Sequence, residues 1–320
     1  MSKITIIIPC YNAEKYIERC LMALNNQCYK DFKVIIIDDA SQDNTVVKIA
    51  EVSRKVSFKI DFVYNEKNSG PAFSRNRGIC LADSDYLCFC DSDDWFDSNF
   101  LSSMLKRVEA DGSDIAFCGY RIVSSNGDEE ERPLCCKHSI VNCEEALGLD
   151  LDSLCMMLVK TPIMKSTLLP DIRNGEDMAV VPLLISKANK CSVVSECLYN
   201  YYRNTQSASQ TANMRVVESL VLSFEHVCEN LPSSQRELLE YIGIRNLLYP
   251  SIITLFAFTY DIKKAKEIIE SFEADFPTWH KNVMIKTLPK YKKLVLFFIC
   301  KRLFFLIRLV ALLRSFMIRK

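Results

Sequence analysis

Short apolar runs that stop abruptly at polar residues constrain this chain more than any other feature. Ile4 to Ile8 is β-branched throughout and meets Pro9, so it reads as a central strand with a hard stop. Lys33 to Ile37 is a second buried run, ending at Asp38-Asp39, and Phe58 to Tyr64 is a third. Tyr86 to Cys90 is a fourth, followed by Asp91-Ser92-Asp93-Asp94 and then Trp95-Phe96. Helical spacing fills the gaps between runs. Asn12 is placed to cap a helix in which Ile17, Leu21 and Leu24 recur beside Cys20. Ser41, Asp43 and Asn44 form a polar turn opening a helix that runs to about Lys55. The loop around Gly70 and Pro71 enters a helix carrying Arg75 and Arg77, and Asp114 to Tyr120 is a further strand. This alternation predicts an α/β fold, with a mostly parallel central sheet flanked by helices.

Strand ends of a parallel sheet share one edge, where ligands of such sheets bind. Three polar clusters therefore converge there: Pro9-Tyr11-Asn12, Asp38-Asp39 and Asp91-Asp93-Asp94. Oxygen ligands on a short turn suit a hard cation such as Mg²⁺ or Mn²⁺, which keeps water and takes further ligands from a diphosphate. The same acids can instead cap the helix beginning near Ser98. Asp39 can accept hydrogen bonds from a nucleobase edge, Tyr11 can stack on that base, and Arg75 or Arg77 can meet a phosphate. The bland alternatives are ordinary packing for Tyr11 and a solvated helix face for the arginines.

The 320 residues suffice for one large domain plus additions, and a 49% hydrophobic content supports a sizeable core. Net charge is zero, so no global field draws the protein to nucleic acid. The 15 cysteines form no metal-like array, and Cys88, Cys90 and Cys118 sit inside apolar runs as small hydrophobes. The first residues lead straight into a strand with no signal-like segment; reduced thiols and a cytosolic active domain are the expectation.

The stretches "ITIIIPCYNAEKYIERCLMALNNQCYKDFKVIIIDDASQDNT", "NSGPAFSRNRGICLADSDYLCFCDSDDWF" and "GEDMAVVPLLISKANK" resemble family 2 glycosyltransferases of the GT-A fold, over roughly residues 3 to 205. The resemblance implies a nucleotide-diphosphate sugar donor (a UDP-sugar is expected), a divalent metal, Mn²⁺ or Mg²⁺, and inverting transfer of a sugar to an acceptor hydroxyl. By position, Tyr11 and Asp39 hold the base, with Pro9, Asn12 and Asp38 supporting. Gly70 and Arg75 line the donor, and Asp91, Ser92 and Asp93 form the metal and diphosphate motif. Ser74 stands where the family has Ala, beside the matching Arg75. The catalytic base falls on Asp177, with Glu176 as the second choice; both can equally favour a helix N-terminus. Val193 to Arg203 resembles the family's final aromatic strand, and no "QxxRW" follows, which favours adding one sugar per encounter.

The expected organisation is a transferase domain over 1–213, a helical accessory region over 214–290 and a basic amphipathic helix over 291–320. "NTQSASQT" reads as a lid or a linker. In the last segment no uninterrupted apolar span reaches the ~18–20 residues a spanning helix needs. On a helical wheel Lys293, Lys301, Arg308 and Arg319 gather on one side, with Ile299, Leu303, Leu306, Val310 and Met317 opposite. This predicts peripheral contact with the inner face of the cell membrane, next to a glycan or lipid-linked acceptor, in cell-surface polysaccharide or glycolipid synthesis. A catalytically silent sugar-nucleotide-binding protein at the membrane is one alternative, and another nucleotide-dependent transferase is a second. The absence of a Gly-rich phosphate loop after the first strand counts against a dehydrogenase.

Overall fold

Five consecutive β-branched residues favour an extended backbone, and the first of them opens strand β1 (Ile4–Cys10). The computed structural model describes residues 2–136, 138–149, 151–203 and 214–318, with side chains to 314. Contacts divide the chain into two groupings: Met1–Asp171 with Leu184–Ser207, and Ile172–Leu183 with Ala208–Lys320.

In the first grouping β1 pairs in parallel with β2 (Phe32–Asp38) on one side and, on the other, with the strand Tyr86–Phe89. The intervening elements are α1 (Ile17–Asn25), α2 (Thr45–Ser53), β3 (Lys59–Tyr64) and α3 (Pro71–Leu81). The strand Tyr86–Phe89 is thus β4, and β3 extends the parallel set beyond β2. The remaining elements are β5 (Trp95–Phe96), α4 (Phe100–Asp111), β6 (Ile115–Ser124), β7 (Glu129–Arg132), β8 (Ile140–Val141), α5 (Cys143–Gly148), β9 (Met157–Lys160), α6 (Thr161–Lys165) and β10 (Cys191–Arg203); most of α7 (Glu176–Lys187) belongs to the second grouping. The order is β3-β2-β1-β4-β9-β6-β10-β5, with β6 and β10 parallel and β9 antiparallel to both of its neighbours. The mostly parallel sheet is the expected one, and antiparallel pairings make it mixed. Strands β5, β7, β8 and β9 are additions, each only two to four residues long.

Two local expectations change. β1 runs through Pro9 to Cys10, whose carbonyl accepts from the Asp39 amide at 2.7 Å, so Pro9 is not a stop. Asn12 does not cap α1, which starts five residues later at Ile17; Asn12 instead has φ 50°, in the left-handed region.

Helix α3 packs on β1 and β2 through Gly78. A Cβ there would stand 2.5 Å from Ile7 Cγ2 and 3.0 Å from Ile37 Cδ1. Because Ile7 is fully buried in a central strand, its Cγ2 has nowhere to swing.

In the second grouping α8 (Met214–Asn230), α9 (Arg236–Gly243), a π-helical turn (Ile244–Leu248), α10 (Tyr249–Phe258) and α11 (Ile262–Asp275) pack around Phe224, Phe272 and Phe276. Ser233–Phe258 is long and apolar enough to cross a bilayer, but 78% of its apolar window is buried, as in a core helix. The C-terminal segment is two helices, not one. These are α12 (Lys290–Cys300) and α13 (Phe304–Ile318), broken where Arg302 takes φ 55°. The arginines turn inward. Arg302 forks onto Glu273 at 2.5 and 3.2 Å, Arg308 donates to the Phe256 carbonyl, and Arg314 donates to the Tyr249 hydroxyl at 2.7 Å. Tyr291, Leu294, Phe297, Leu303, Phe305, Leu309, Leu312 and Leu313 are exposed, as are Lys290 and Lys301, whereas Ile299 is buried. The two faces of the wheel are thus not cleanly separated: Lys301 and Leu303 are both exposed, and Lys293, Leu306, Arg308 and Val310 are all intermediate. Arg319 and "NTQSASQT" lie outside the described residues.

Gly78→Ala tests the packing of α3. Overpacking a core contact costs about 1–3 kcal/mol, against a helix-propensity gain for Ala of about 1 kcal/mol. The denaturant midpoint of the variant should fall; an unchanged or higher midpoint would show that Ile7 yields freely.

Candidate active site

Parallel register brings the strand ends level. Cys10 pairs with Asp38, Asp38 with Tyr64, and Ile7 with Phe89. The residues that follow β1, β2 and β4 therefore share one edge of the sheet.

The β1–α1 and β2–α2 loops brace each other there. The Asn12 amide donates to Ser41 Oγ at 3.0 Å, and Asn12 Oδ1 accepts from the Gln42 amide at 2.8 Å. Ala40 joins Asn12 in the left-handed region at φ 60°, which costs a non-glycine residue about 1–2 kcal/mol. Asparagine tolerates this conformation; alanine is held there by its neighbours. Tyr11 projects from this brace and is 47% exposed.

Asp38 and Asp39 point inward. Asp39 is buried and accepts from Asn65 Nδ2 at 2.6 Å, the Ser69 amide at 2.9 Å and the Gly70 amide at 2.7 Å. It thereby folds the loop that leads into α3, and the Gly70 φ of 88° allows that turn. One further acceptor position remains on its carboxylate. The Asp38 carboxylate accepts from the Ser41 amide at 3.0 Å, and its buried Oδ1 has no hydrogen-bond partner among the described residues.

The loop aims α3, and α3 delivers the buried Arg75 to Asp91, with Nη2 2.8 Å from Oδ1. Arg77, also on α3, is spent on the Tyr64 carbonyl and Asn65 Oδ1. Of the two arginines, Arg75 is the one that reaches the acidic turn.

That turn closes with the Asp94 amide donating to the Asp91 carbonyl at 3.0 Å. Its carboxylates differ. Asp91 is partly exposed, with 37% of its side chain accessible. Asp94 is buried and accepts from the Tyr199 hydroxyl at 2.5 Å and the Tyr202 amide at 2.7 Å. Asp93 is intermediate in exposure, and Ser92 meets the Cys10 thiol. Burial, and then the charge of Asp91, push the Asp93 carboxyl up to about 6. Burial, Asp91 and Asp93 raise Asp94 well above the carboxylate range despite its hydrogen bonds. Like charges held this close favour a counter-cation. Asp91 and Asp93 offer hard oxygen donors to one, and among the described residues no group of three His, Cys, Asp or Glu completes a closed cage. The donor set fits an ion that keeps water and takes phosphate oxygens.

Glu176 and Asp177 open α7 and belong to the second grouping. The turn before them is fastened to α8: Ser219 Oγ donates to the Arg173 carbonyl at 2.6 Å, and Ser223 Oγ to the Gly175 carbonyl at 2.8 Å. The Glu176 carboxylate accepts from the Gly175 amide at 3.0 Å. Glu176 is buried, whereas Asp177 is intermediate in exposure.

Several contributors are silent in sequence. Asn65 links Asp39 to Ser74 Oγ, and Tyr199 and Tyr202 hold Asp94. Arg19, on α1, donates to the Asp93 carbonyl. The aromatic run of β10 was the available hint of the tyrosines; nothing in the sequence of α1 marks Arg19.

The profile described as "Glycosyl transferase family 2" matches residues 5–165. TuaG of Bacillus subtilis, whose name places it in teichuronic acid biosynthesis, is 28% identical over 198 residues, covering 62% of this chain and 78% of TuaG. The amylovoran biosynthesis glycosyltransferase AmsB of Erwinia amylovora is 43% identical over 114 residues, 34% of this chain; the chain spans only 37% of AmsB. Among solved structures, residues 1–349 of S. aureus TarS in complex with UDP-GlcNAc superpose with a TM-score of 0.72 at 19% identity, covering 97% of this chain and 90% of that one. The mannosyltransferase PcManGT of Pyrobaculum calidifontis, in complex with GDP-Man and Mn²⁺, gives a TM-score of 0.61 at 13% identity over 98% and 87% of the two chains. The chain has the GT-A fold and belongs to glycosyl transferase family 2.

Proposed function

We propose that this glycosyltransferase moves one sugar from a nucleotide-diphosphate sugar to an acceptor hydroxyl with inversion, in the synthesis of a cell-surface polysaccharide or glycolipid. The observation that carries this reading is the Asp91–Asp93 pair at the sheet edge, tied by Arg75 to the loop that Asp39 folds. The complex of TarS with UDP-GlcNAc supports a UDP-sugar as donor.

On this reading Tyr11 stacks on the base, while Pro9, Asn12, Asp38, Asp39 and Gly70 shape its pocket. Asp91 and Asp93 hold Mn²⁺ or Mg²⁺, which when bound neutralises the departing diphosphate. Ser92 sits between the two ligands. Arg75 orients Asp91 and adds positive charge beside the diphosphate. Asp177 accepts the proton of the acceptor hydroxyl as its oxygen bonds to the anomeric carbon and the bond to the diphosphate breaks. Glu176, buried against its own turn, is the weaker candidate.

Contact with a membrane surface is part of the proposal. The exposed leucines and phenylalanines of α12 and α13 supply an apolar face beside the exposed Lys290 and Lys301. The amphipathic elements are these two helices, over 290–318.

Three measurements test this function. With a panel of sugar nucleotides, EDTA should abolish donor turnover and Mn²⁺ or Mg²⁺ should restore it; full activity in chelator would remove the metal from the mechanism. Asp177→Asn keeps the size of the side chain but cannot take a proton at neutral pH, so transfer should fall about 10²–10⁴-fold with donor affinity nearly unchanged. Near-normal transfer in a folded variant, or a larger loss from Glu176→Gln, would reassign the base. Phe297→Ser with Phe305→Ser should weaken sedimentation with anionic liposomes and leave donor binding intact; unaltered sedimentation would place the contact elsewhere.

A further inference from the structure

We propose that Arg19 is a positioning residue: it holds the Asp91–Asp94 turn in its cation-binding shape without touching the cation. The inference rests on the reading of Asp91 and Asp93 as cation ligands. Arg19 projects from α1, 74 residues away in sequence from the group it holds, and Nη2 donates to the Asp93 carbonyl at 2.5 Å. Its guanidinium lies over two rings, 4.0 Å from the Trp95 centroid and 4.3 Å from that of Tyr202. Both rings are fastened to the same turn. Trp95 follows Asp94 directly and pairs with Asn200 of β10, and the Tyr202 amide donates to Asp94. Tyr16 backs Tyr202 from the turn preceding α1, with ring centroids 5.7 Å apart. Arg19 thus fixes the backbone carbonyl of Asp93 from one side, while β10 fixes the Asp94 carboxylate from the other.

Stability alone is a poor reason for this residue. Arg19 Nε is buried without a hydrogen-bond partner among the described residues, and an unmade donor in such a place is costly. An apolar side chain between the two rings would avoid that cost. What the guanidinium adds is a directional bond to one carbonyl, with flat stacking that keeps the donor aimed. The carbonyl belongs to the residue whose carboxylate must meet the ion. A slack turn would let the Asp91 and Asp93 carboxylates separate, as their charges favour. Outer-shell partners of this kind are worth about 10–100-fold in metal affinity.

The test measures Mn²⁺ binding directly, by the EPR signal of free Mn²⁺ in the presence of UDP, beside the thermal midpoint. Arg19→Met should weaken Mn²⁺ binding about 10–100-fold, with little change in UDP binding in chelator. Arg19→Lys, which cannot stack flat across two rings, should recover only part of it. Tyr202→Leu removes one ring and leaves the bond to Asp93, so it should shift Mn²⁺ binding in the same direction by less. It also serves if Arg19→Met does not fold. Unchanged Mn²⁺ binding in folded Arg19→Met, or a loss fully recovered by Lys, overturns the proposal. Asp91→Asn, run in parallel, separates this from the reading beneath it. If Asp91→Asn weakens Mn²⁺ binding and Arg19→Met does not, only the role of Arg19 fails. If Asp91→Asn leaves binding unchanged, the cation-site reading fails and the role of Arg19 with it.

Discussion

The acidic turn depends on one carboxyl group that is buried in the protein. Asp94 is buried beneath Asp91 and Asp93, and both of its oxygens are engaged by β10, through the Tyr199 hydroxyl and the Tyr202 amide. β4, which leads into the turn, lies beside β1, whereas β10 lies beyond β9 and β6. The two hydrogen bonds therefore join opposite halves of the sheet at the point where the chain changes direction. Burial and the two neighbouring carboxylates disfavour charge on Asp94, and its two hydrogen bonds offset part of that cost. With those bonds made, it anchors its two neighbours facing outward.

The strands were legible where apolar, β-branched or aromatic residues run together. β1, β2 and β4 are buried on both faces, β6 and β10 over part of their length, and the edge strand β3 only partly, yet all six stand where such residues imply. β9 was not, because "MLVK" is four residues long and becomes a strand only by pairing with β4 and β6 at long range. The edge shared by Asn12, Asp39 and Asp91 followed from parallel topology alone. Which of three adjacent carboxylates turns inward did not follow, since that choice depends on a tyrosine more than 100 residues away. Arg19 on its helix has the look of any solvated basic residue until Trp95 and Tyr202 close over it.

The C-terminal segment failed for a different reason. Its apolar spacing fits one helix, and no glycine or proline marks the break at Arg302. What makes the break is tertiary: Glu273 takes both terminal guanidinium nitrogens of Arg302, and Arg308 and Arg314 find oxygen acceptors within the helical grouping. Guanidinium groups with partners can be drawn inward, and here leucines and phenylalanines stay exposed beside Lys290 and Lys301. The helix opening at Glu176 carries a related lesson, because its first turn is secured by α8, an element outside the familiar motif.

The mutual brace between the loops after β1 and β2 has a consequence for how this protein can be altered. Asn12 and Ser41 hold each other, Asn12 also holds Gln42, and Ala40 keeps a conformation that it would not choose alone. Residues bonded in this way do not change independently, and their effects do not add. A redesign that replaces residues on one loop will also reshape the other. Variation at this edge is expected to succeed in linked steps, with positions 12, 40 and 41 exchanged as a set while the strands beneath stay as they are.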